Sequence, residues 1–390
     1  MKQRIESLDL LRGLVMIIMA LDHVRDYFHD DAFLYSPTDL SRTNVALFFT
    51  RWITHFCAPV FVFLAGISAC LYGGKKGRKA LSFFLFTRGV WLVLVELFII
   101  SLFRTFNLSF PFLNLQVIWV IGISMIVLSA LIYVHRNLLL AVGIVLVAGH
   151  NLLDTVHVQG EGVLAFGWAL LHDPKTFTYG HWIFVTRYPL LPWIGIMTMG
   201  YYIGRYYLPD YDPDERRPRL VMLGFGAIGL FLLLRGTNLY GDADHWSGQK
   251  SAVFTVLSFF NVTKYPPSLL YTLMTIGPAL IFLAYTERPL GKWGVRVALF
   301  GRTAMFYYLA HILLIHIWAL VGVVVSGYHL SDMILSGAVN AQPELKGYGF
   351  PLIVVYLVWV GLIVVLYPLC KWYDGYKRAN QATRWWLSYI

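Results

Sequence analysis

The N-terminal segment Ser7–Asp31, SLDLLRGLVMIIMALDHVRDYFHDD, surrounds an apolar centre with residues that can carry charge and move protons. Arg12 stands before the apolar run, and Asp22, His23 and His29 follow it. A histidine with a reference pKa of ~6.5 can take a proton from an attacking amine or hydroxyl group at neutral pH. The segment therefore predicts proton-transfer chemistry at one end of a hydrophobic helix, with a cation at the other end.

Helical geometry places Arg12 and His23 nearly in line, because the eleven positions between them make about three turns. The rise between them is about 16 Å, which is roughly half of the hydrocarbon thickness of a bilayer. A charged side chain at bilayer depth costs about 2.5–3.5 kcal/mol and usually faces a bundle interior or a water-filled cavity. The stripe is thus expected to face a polar pathway. The alternative is that Arg12 snorkels to the headgroups while Asp22 and His23 only mark the helix end.

A second apolar segment brings more polar groups to the same end. In RWITHFCAPVFVFLAG, Arg51 and His55 are four residues apart and hence share one helix face. Together with Asp22, His23 and His29 they predict a cluster of titratable groups at one membrane face.

Other polar groups in apolar segments support weaker interpretations. His311 and Tyr307 share one face of a late segment. His150 and Asp154 are also four apart, but near a segment end, where a pair that faces a loop is an equally good interpretation. Glu96 lies within an apolar segment and is expected to be neutral or hydrogen-bonded.

The composition is that of an integral membrane protein. Of the 390 residues, 58% are hydrophobic and 13% are charged, against about 25% charged residues in soluble domains. The apolar stretches 162–171 and 252–260 are too short to span and are expected to lie at the interface or to fold back over the bundle. The sequence predicts an all-α polytopic bundle of ten spans: 10–24, 52–73, 84–103, 113–134, 138–156, 188–204, 219–235, 268–286, 303–325 and 351–370.

The net charge of +10 follows from membrane topology. No basic helix face with interleaved aromatic residues lies outside the spans, which argues against a nucleic-acid partner. With both termini in the cytoplasm, twenty of the 31 Lys and Arg residues, including Lys2 and Arg4, fall on the cytoplasmic side and ten on the other side. Cytoplasmic loops retain such residues, so this orientation is favoured over its inverse. We expect a multi-pass protein of the cytoplasmic (inner) membrane.

Several segments resemble one known family. SLDLLRG…MALDHVRDYFH, THFCAPVFVFLAG, YPLLPWIGIMTMGYYIG, KYPPSLLYTLMTIGP and MFYYLAHILLIH together are similar to bacterial relatives of heparan-α-glucosaminide N-acetyltransferase, in the transmembrane acyltransferase superfamily. The likeness covers nearly the whole chain and implies a single transmembrane acyltransferase domain, residues 1–390. It implies transfer of acetyl from cytoplasmic acetyl-CoA to an amino sugar or other glycan acceptor on the far side of the membrane. It also agrees with a homodimer.

The resemblance leaves two candidates for the catalytic base. In the lysosomal enzyme an asparagine stands where this chain has His23, and the catalytic histidine follows an aromatic run, where DYFH places His29. Either His23 or His29 can therefore be the base. Asp22, Arg51 or His55 would orient it or hold the sugar, and His311 is a further candidate for the substrate site.

The acetyl donor would need cationic partners for its phosphates. Arg12 lies deepest, and the loops GGKKGRK and ERPLGKWGVR supply further candidates, although topology alone also requires such charges. The candidates for CoA are Arg12, Lys76, Lys79, Lys292 and Arg302.

No metal is expected, since His23, His29 and His55 show no compact ligand spacing. The alternative function is a proton-coupled transporter of a small polar solute, which would also use charged stripes and histidines. No pair of matching interrupted segments favours that alternative in this sequence.

Overall fold

The computed structural model describes residues 5–389, apart from the side chain of Ser388, so Lys2 and Arg4 lie outside the described residues. Within the described chain there are fifteen α-helices: α1 Glu6–Phe28, α2 Val45–Ile53, α3 Cys57–Lys76, α4 Arg78–Leu94, α5 Ser101–Thr105, α6 Val117–Leu131, α7 Arg136–Ala148, α8 Val163–Leu171, α9 Leu190–Ile203, α10 Pro213–Thr237, α11 Ala252–Phe260, α12 Leu269–Tyr285, α13 Lys292–Arg302, α14 Ala304–Val325 and α15 Leu352–Asn380. The strands are β1 Phe112–Asn114, β2 Thr176–Tyr179 and β3 Trp182–Val185.

The helices are those of a membrane protein. Each of the ten predicted spans overlaps a helical segment: α1, α3, α4 with α5, α6, α7, α9, α10, α12, α14 and α15. Among the described residues, five helical segments are by themselves long and apolar enough to cross a bilayer: Val45–Lys76, Arg78–Thr105, Pro213–Thr237, Ala304–Val325 and Leu352–Asn380. The apolar helices α6, α7 and α12 are shorter.

Helix α1 lies inside the bundle although its sequence contains several charged residues. It packs against α3, α12, α13, α14 and α15. The approach to α13 is close because both contact residues are glycines: a Cβ on Gly13 would lie 2.0 Å from the carbonyl oxygen of Val297, and a Cβ on Gly301 would lie 2.0 Å from that of Asp9. Burial of α1 places its polar stripe among other helices and away from lipid.

A π-helical turn, Val95–Ile100, joins α4 to α5. It carries Glu96, whose Oε2 accepts hydrogen bonds from the backbone N–H groups of Ile118 and Trp119, both at 3.1 Å. These are amides of the first turn of α6, which have no partner within their own helix. The expectation that Glu96 is hydrogen-bonded is confirmed, and the contact ties the segment that leads to α5 to the start of α6.

The fold is predominantly helical, in agreement with the all-α prediction, and three short strands lie among the helices. Strand β3 pairs in parallel with β1 and antiparallel with β2. The span predicted at 113–134 begins in β1, and the helix starts only at Val117. Asn114 and Gln116 interrupt the apolar run there, and the backbone before them satisfies its hydrogen bonds by pairing with β3. The connector helices α8 and α11 occupy the two short apolar stretches.

The start of α12 is fixed by side-chain hydrogen bonds. Ser268 Oγ accepts from the Tyr271 N–H at 3.0 Å and donates to Asp242 Oδ2 at 2.7 Å. Asp242 also accepts from the Thr263 N–H and hydroxyl, at 2.9 and 2.6 Å. This network holds in place the short segment that carries Lys264 and Tyr265.

Candidate active site

A cavity of about 530 Å³ lies at the end of α1. His23 contributes to its wall, and we call it the His23 cavity. The loop that follows α1, residues 32–37, and residues 337–340 form other parts of the wall. The charged or aromatic lining residues used below are Asp22, Arg25, Arg51, Arg104, Arg187 and Tyr265.

His23 is hydrogen-bonded to a second histidine. Its Nδ1 lies 2.8 Å from Nε2 of His311, and the two rings are nearly parallel with centroids 5.0 Å apart. His311 Nδ1 lies 2.9 Å from the carbonyl oxygen of Tyr307, on the preceding turn of α14. His311 is fully buried, so the pair is fixed by α1 on one side and α14 on the other.

The hydrogen bonds assign the tautomers of both rings. A carbonyl oxygen can only accept, so His311 Nδ1 carries a hydrogen, and Nε2 of the neutral ring is then an acceptor. His23 Nδ1 must donate to that acceptor, which leaves Nε2 of neutral His23 with an unshared electron pair. His23 therefore presents a basic nitrogen, while His311 fixes the orientation of its ring.

Arg104 stands next to that basic nitrogen. Its Nη2 lies 3.4 Å from His23 Nε2, at the outer limit of hydrogen-bonding distance. The backbone carbonyl of Arg104 accepts a hydrogen bond from Tyr27 at 2.6 Å, which holds the end of α5 against α1. A guanidinium can only donate, so this geometry agrees with an unprotonated Nε2 on His23.

Asp22 is neutralised by two arginines. Its Oδ1 lies 2.8 Å from Arg25 Nη1, and its Oδ2 accepts a hydrogen bond from Arg51 Nη1. The buried Arg25 also pairs with Asp26 at 2.6 Å. Both oxygens of Asp22 thus hold cations in the cavity wall, and the hydrogen bond to Nδ1 of His23 is made by His311.

Arg187 and Tyr265 form another part of the His23 cavity wall, and Lys264 lies next to Tyr265. Arg187 and Lys264 lie over the ring of Tyr265, at 5.8 and 5.3 Å from its centroid. Burial on its own raises the pKa of Tyr265, but the cations Lys264, Arg51 and Arg187 outweigh it and lower the pKa to about 7. The cavity therefore favours ligands with hydroxyl or anionic groups on this side.

A second cavity, of about 400 Å³, lies nearer the start of α1. Arg12 contributes to its wall, and we call it the Arg12 cavity. Arg12 Nη1 pairs with Asp9 at 3.1 Å, and Nη2 donates to Ser68 Oγ at 3.0 Å. Three further cations, Arg88, Arg302 and Lys377, line the same space, whose other walls are mainly apolar.

The two cavities approach each other at a layer of rings. Tyr308 lines the Arg12 cavity and His23 lines the His23 cavity, and their ring centroids are 6.3 Å apart in an edge-on arrangement. The Tyr308 ring also lies 5.3 Å from that of His311. Tyr308 and His23 therefore stand at the boundary between the two cavities.

Six of the residues singled out from the sequence meet at these cavities. Those that line the walls are Asp22, His23 and Arg51 in the His23 cavity, and Arg12 and Arg302 in the Arg12 cavity. The sixth, His311, holds the ring of His23. Arg302 is also paired with Asp374, at 3.1 Å.

His29 lies apart from both cavities. Its Nδ1 accepts a hydrogen bond from the Asp31 N–H at 3.1 Å and caps the short 3₁₀ helix Asp30–Phe33. The residue is buried, which lowers the pKa of His29, although Asp30 and Asp31 oppose this effect. The structure thus places His29 in a capping position after α1 has ended.

The other sequence candidates also lie outside the two cavity walls. His55 is buried in a 3₁₀ turn, where its backbone carbonyl accepts a hydrogen bond from Tyr271 at 2.7 Å. Lys76, Lys79 and Lys292 are solvent-exposed.

Several site residues were not among the candidates from the sequence. Arg88 is a cation inside an apolar segment, and Arg104 is a cation at the end of one. Each position could have indicated a polar cavity from the sequence. Nothing in the sequence pattern singled out the remaining residues, Arg187, Tyr265, Tyr308 and Lys377, because their role depends on tertiary contacts.

Comparison with known proteins agrees with the resemblance seen in the sequence. The family model for the catalytic domain of heparan-alpha-glucosaminide N-acetyltransferase matches residues 4–234, more than half of the chain. No individual curated protein matches the sequence. The matched region includes Arg12, His23 and Arg104, whereas His311 lies beyond it. The chain belongs to the heparan-alpha-glucosaminide N-acetyltransferase catalytic family, a family of membrane acetyltransferases.

Proposed function

We propose that this protein transfers acetyl from cytoplasmic acetyl-CoA to an amino sugar or other glycan acceptor on the opposite side of the cytoplasmic membrane. One observation carries the proposal: the two cavities approach each other at His23, whose Nε2 has an unshared electron pair. Membership of the family supplies the reaction class.

The donor is assigned to the Arg12 cavity. Acetyl-CoA carries phosphates and a narrow pantetheine arm. The Arg12 cavity combines cations, which suit the phosphates, with mainly apolar walls. Arg12, Arg88 and Lys377 would hold the phosphates or the arm. The thioester would then lie near Tyr308, at the layer of rings. The excess of Lys and Arg on the proposed cytoplasmic side supports this direction of donor binding.

His23 is assigned the role of general base. The nitrogen or oxygen of the acceptor attacks the thioester carbonyl carbon and loses its proton to His23 Nε2. The new bond from acetyl to acceptor forms as the carbon–sulfur bond breaks. The departing CoA thiolate then takes a proton, and His23 returns to its neutral form. His311 keeps the His23 ring in the required tautomer through the transfer.

Arg104 is assigned the role of stabilising the negative charge that develops on the carbonyl oxygen of the thioester. A guanidinium 3.4 Å from the base nitrogen lies within reach of the carbonyl oxygen of a thioester attacked at that point. Its long contact to His23 is weak, so an acceptor can displace it from Nε2. Arg187 in the wall of the His23 cavity, with Lys264 next to it, would position the acceptor by its polar groups.

His311 lies beyond the residues matched by the family model, yet its hydrogen bond orients the ring of His23, the assigned base. This supports the proposal that residues 1–390 form a single acyltransferase domain, in which both halves of the chain contribute to one site.

The test uses purified protein in sealed proteoliposomes that contain a panel of glucosamine-bearing and hydroxyl-only sugars. Radiolabelled acetyl-CoA is added to one side at a time, and labelled sugar is isolated. We expect label only with donor on the side that carries residues 75–79. Alkaline treatment, which cleaves O-acetyl esters but spares N-acetyl amides, then identifies the acceptor atom. Release of unmodified sugar from the proteoliposomes without acetylation would instead favour the transporter.

A further inference from the structure

A cluster of metal-ligating side chains lies away from both cavities. His150 opens a 3₁₀ turn directly after α7, Asp154 follows that turn, and His172 follows α8. One potential ligand atom from each residue lies within 4.8 Å of the other two. Nε2 of His172 and Oδ1 of Asp154 are 3.2 Å apart.

His150 is buried without a hydrogen-bond partner for either ring nitrogen. It is 2% exposed, and so is His172, whose Nδ1 is also unpaired. The backbone carbonyl of Pro267 lies near the His150 ring without meeting the geometry of a hydrogen bond. Burial of an unsatisfied polar group typically costs about 1–3 kcal/mol of stability. Burial of the His150 imidazole without a ligand therefore destabilises the folded protein.

We propose that His150, Asp154 and His172 bind a Zn²⁺ ion. Two imidazoles and a carboxylate are ligands that zinc accepts, with a water molecule in the fourth position. In a tetrahedral site with bonds of about 2.1 Å, neighbouring ligand atoms are roughly 3.4 Å apart, so the His172–Asp154 contact already matches one edge. The other separations are at most 4.8 Å, so closing them needs a shift of at most about 1.4 Å.

The surroundings of the cluster are those of a supported ligand set. Asn151 Nδ2 donates to the second oxygen of Asp154 at 2.9 Å, which orients the carboxylate. The ring of Trp168 lies 5.5 Å from that of His172. By contrast, the consecutive group formed by His29 and the two aspartates after it already uses a histidine nitrogen as a helix cap.

The location indicates a structural role. Asn151 also accepts a hydrogen bond from the Leu269 N–H at 3.0 Å, so the turn after α7 is tied to the start of α12. A zinc ion would also join the residue after α8 to this junction. The turn after α7, the end of α8 and the start of α12 would then be held together. Sequence spacing did not predict this site, because His172 lies 18 positions after Asp154.

The experiment measures zinc binding by the purified full-length protein after its affinity tag has been removed. Protein is stripped with a chelator, dialysed and titrated with Zn²⁺, and bound metal is measured by mass spectrometry. We expect one Zn²⁺ per chain, a higher thermal unfolding temperature with zinc, and the visible spectrum of tetrahedral Co²⁺ after substitution. Folded wild-type protein that binds no zinc would overturn the proposal.

Variants locate the site. His150→Ala and His172→Ala should weaken zinc affinity by roughly 100-fold or more. Asp154→Asn, which keeps the shape of the side chain, tests the same point if the histidine variants fold poorly. His181→Ala is the matched control, because it removes an exposed histidine from the same connector. Equal zinc binding by Asp154→Asn and wild type would also contradict the assignment.

Discussion

His23 on α1 and His311 on α14 are joined by a 2.8 Å hydrogen bond between Nδ1 and Nε2, and the Tyr307 carbonyl holds the far side of His311. The ring of His23 therefore has a fixed tautomer, and its basic Nε2 is approached by Arg104 at 3.4 Å. In catalytic sites a third group often orients the base in this way.

His311→Ala should remove this orientation and lower kcat by about 10²-fold, while CoA affinity stays within about twofold of wild type. The distinguishing measurement is ¹⁵N NMR of labelled His23, which should change from the Nδ1–H tautomer to a mixture. His316→Ala is the control: it removes another buried histidine of α14, whose ring bonds only to the carbonyls of Phe103 and Met333. An unchanged His23 tautomer in His311→Ala would contradict the positioning role.

Asp22→Asn should destabilise the protein by about 1–3 kcal/mol, because the buried Arg25 and the neighbouring Arg51 would lose a shared counter-charge. The measurement is thermal unfolding in detergent. Asp26→Asn is the matched control, since Asp26 pairs with the same Arg25 but is 42% exposed, and exposed pairs contribute about 0–1 kcal/mol. Equal effects of the two substitutions would show that Asp22 is not the centre of the cluster.

Gly13→Ala should lower stability by about 1–3 kcal/mol, because the added methyl group would meet the Val297 carbonyl at 2.0 Å and force α1 away from α13. Gly226→Ala on α10 is the control, because its methyl group would meet nothing within 4 Å. It should be neutral or slightly stabilising, as expected from helix propensity. Equal unfolding temperatures for the two variants would refute the close contact.

Arg12→Ala should weaken CoA binding by about 1.5–3 kcal/mol, or roughly 10- to 150-fold, through loss of a charged hydrogen bond. Isothermal titration with CoA in detergent provides the measurement. Lys76→Ala removes a cation that is exposed and lies outside the Arg12 cavity wall, and it should bind CoA as wild type does. If both variants bind normally, the donor does not occupy the Arg12 cavity.

Helix positions and the polar stripe of α1 were predictable because they depend on local pattern. Each predicted span overlaps a helical segment, and Arg12 and His23 both line cavities. The partner of His23 was not predictable, because 288 positions separate it from His311 and only helix packing brings them together. Strand β1 was missed for a similar reason: its pairing partner β3 comes much later in the chain.

The choice between His23 and His29 also depended on tertiary structure. Both follow the same apolar run, and the family resemblance supported either one. In the structure, His29 caps a 3₁₀ helix and His23 is hydrogen-bonded to His311. These contacts distinguish the two histidines, and neither contact is evident from the sequence pattern.

Turnover of the His23→Ala variant, measured together with its CoA affinity, tests the central claim most directly. General-base loss typically lowers the rate by about 10²–10⁴-fold. We predict a loss of that size in acetyl transfer to the best acceptor, with CoA affinity close to wild type, and a much smaller loss for His29→Ala. Near-normal turnover in His23→Ala, or a larger loss in His29→Ala, would contradict the assignment of His23 as the base.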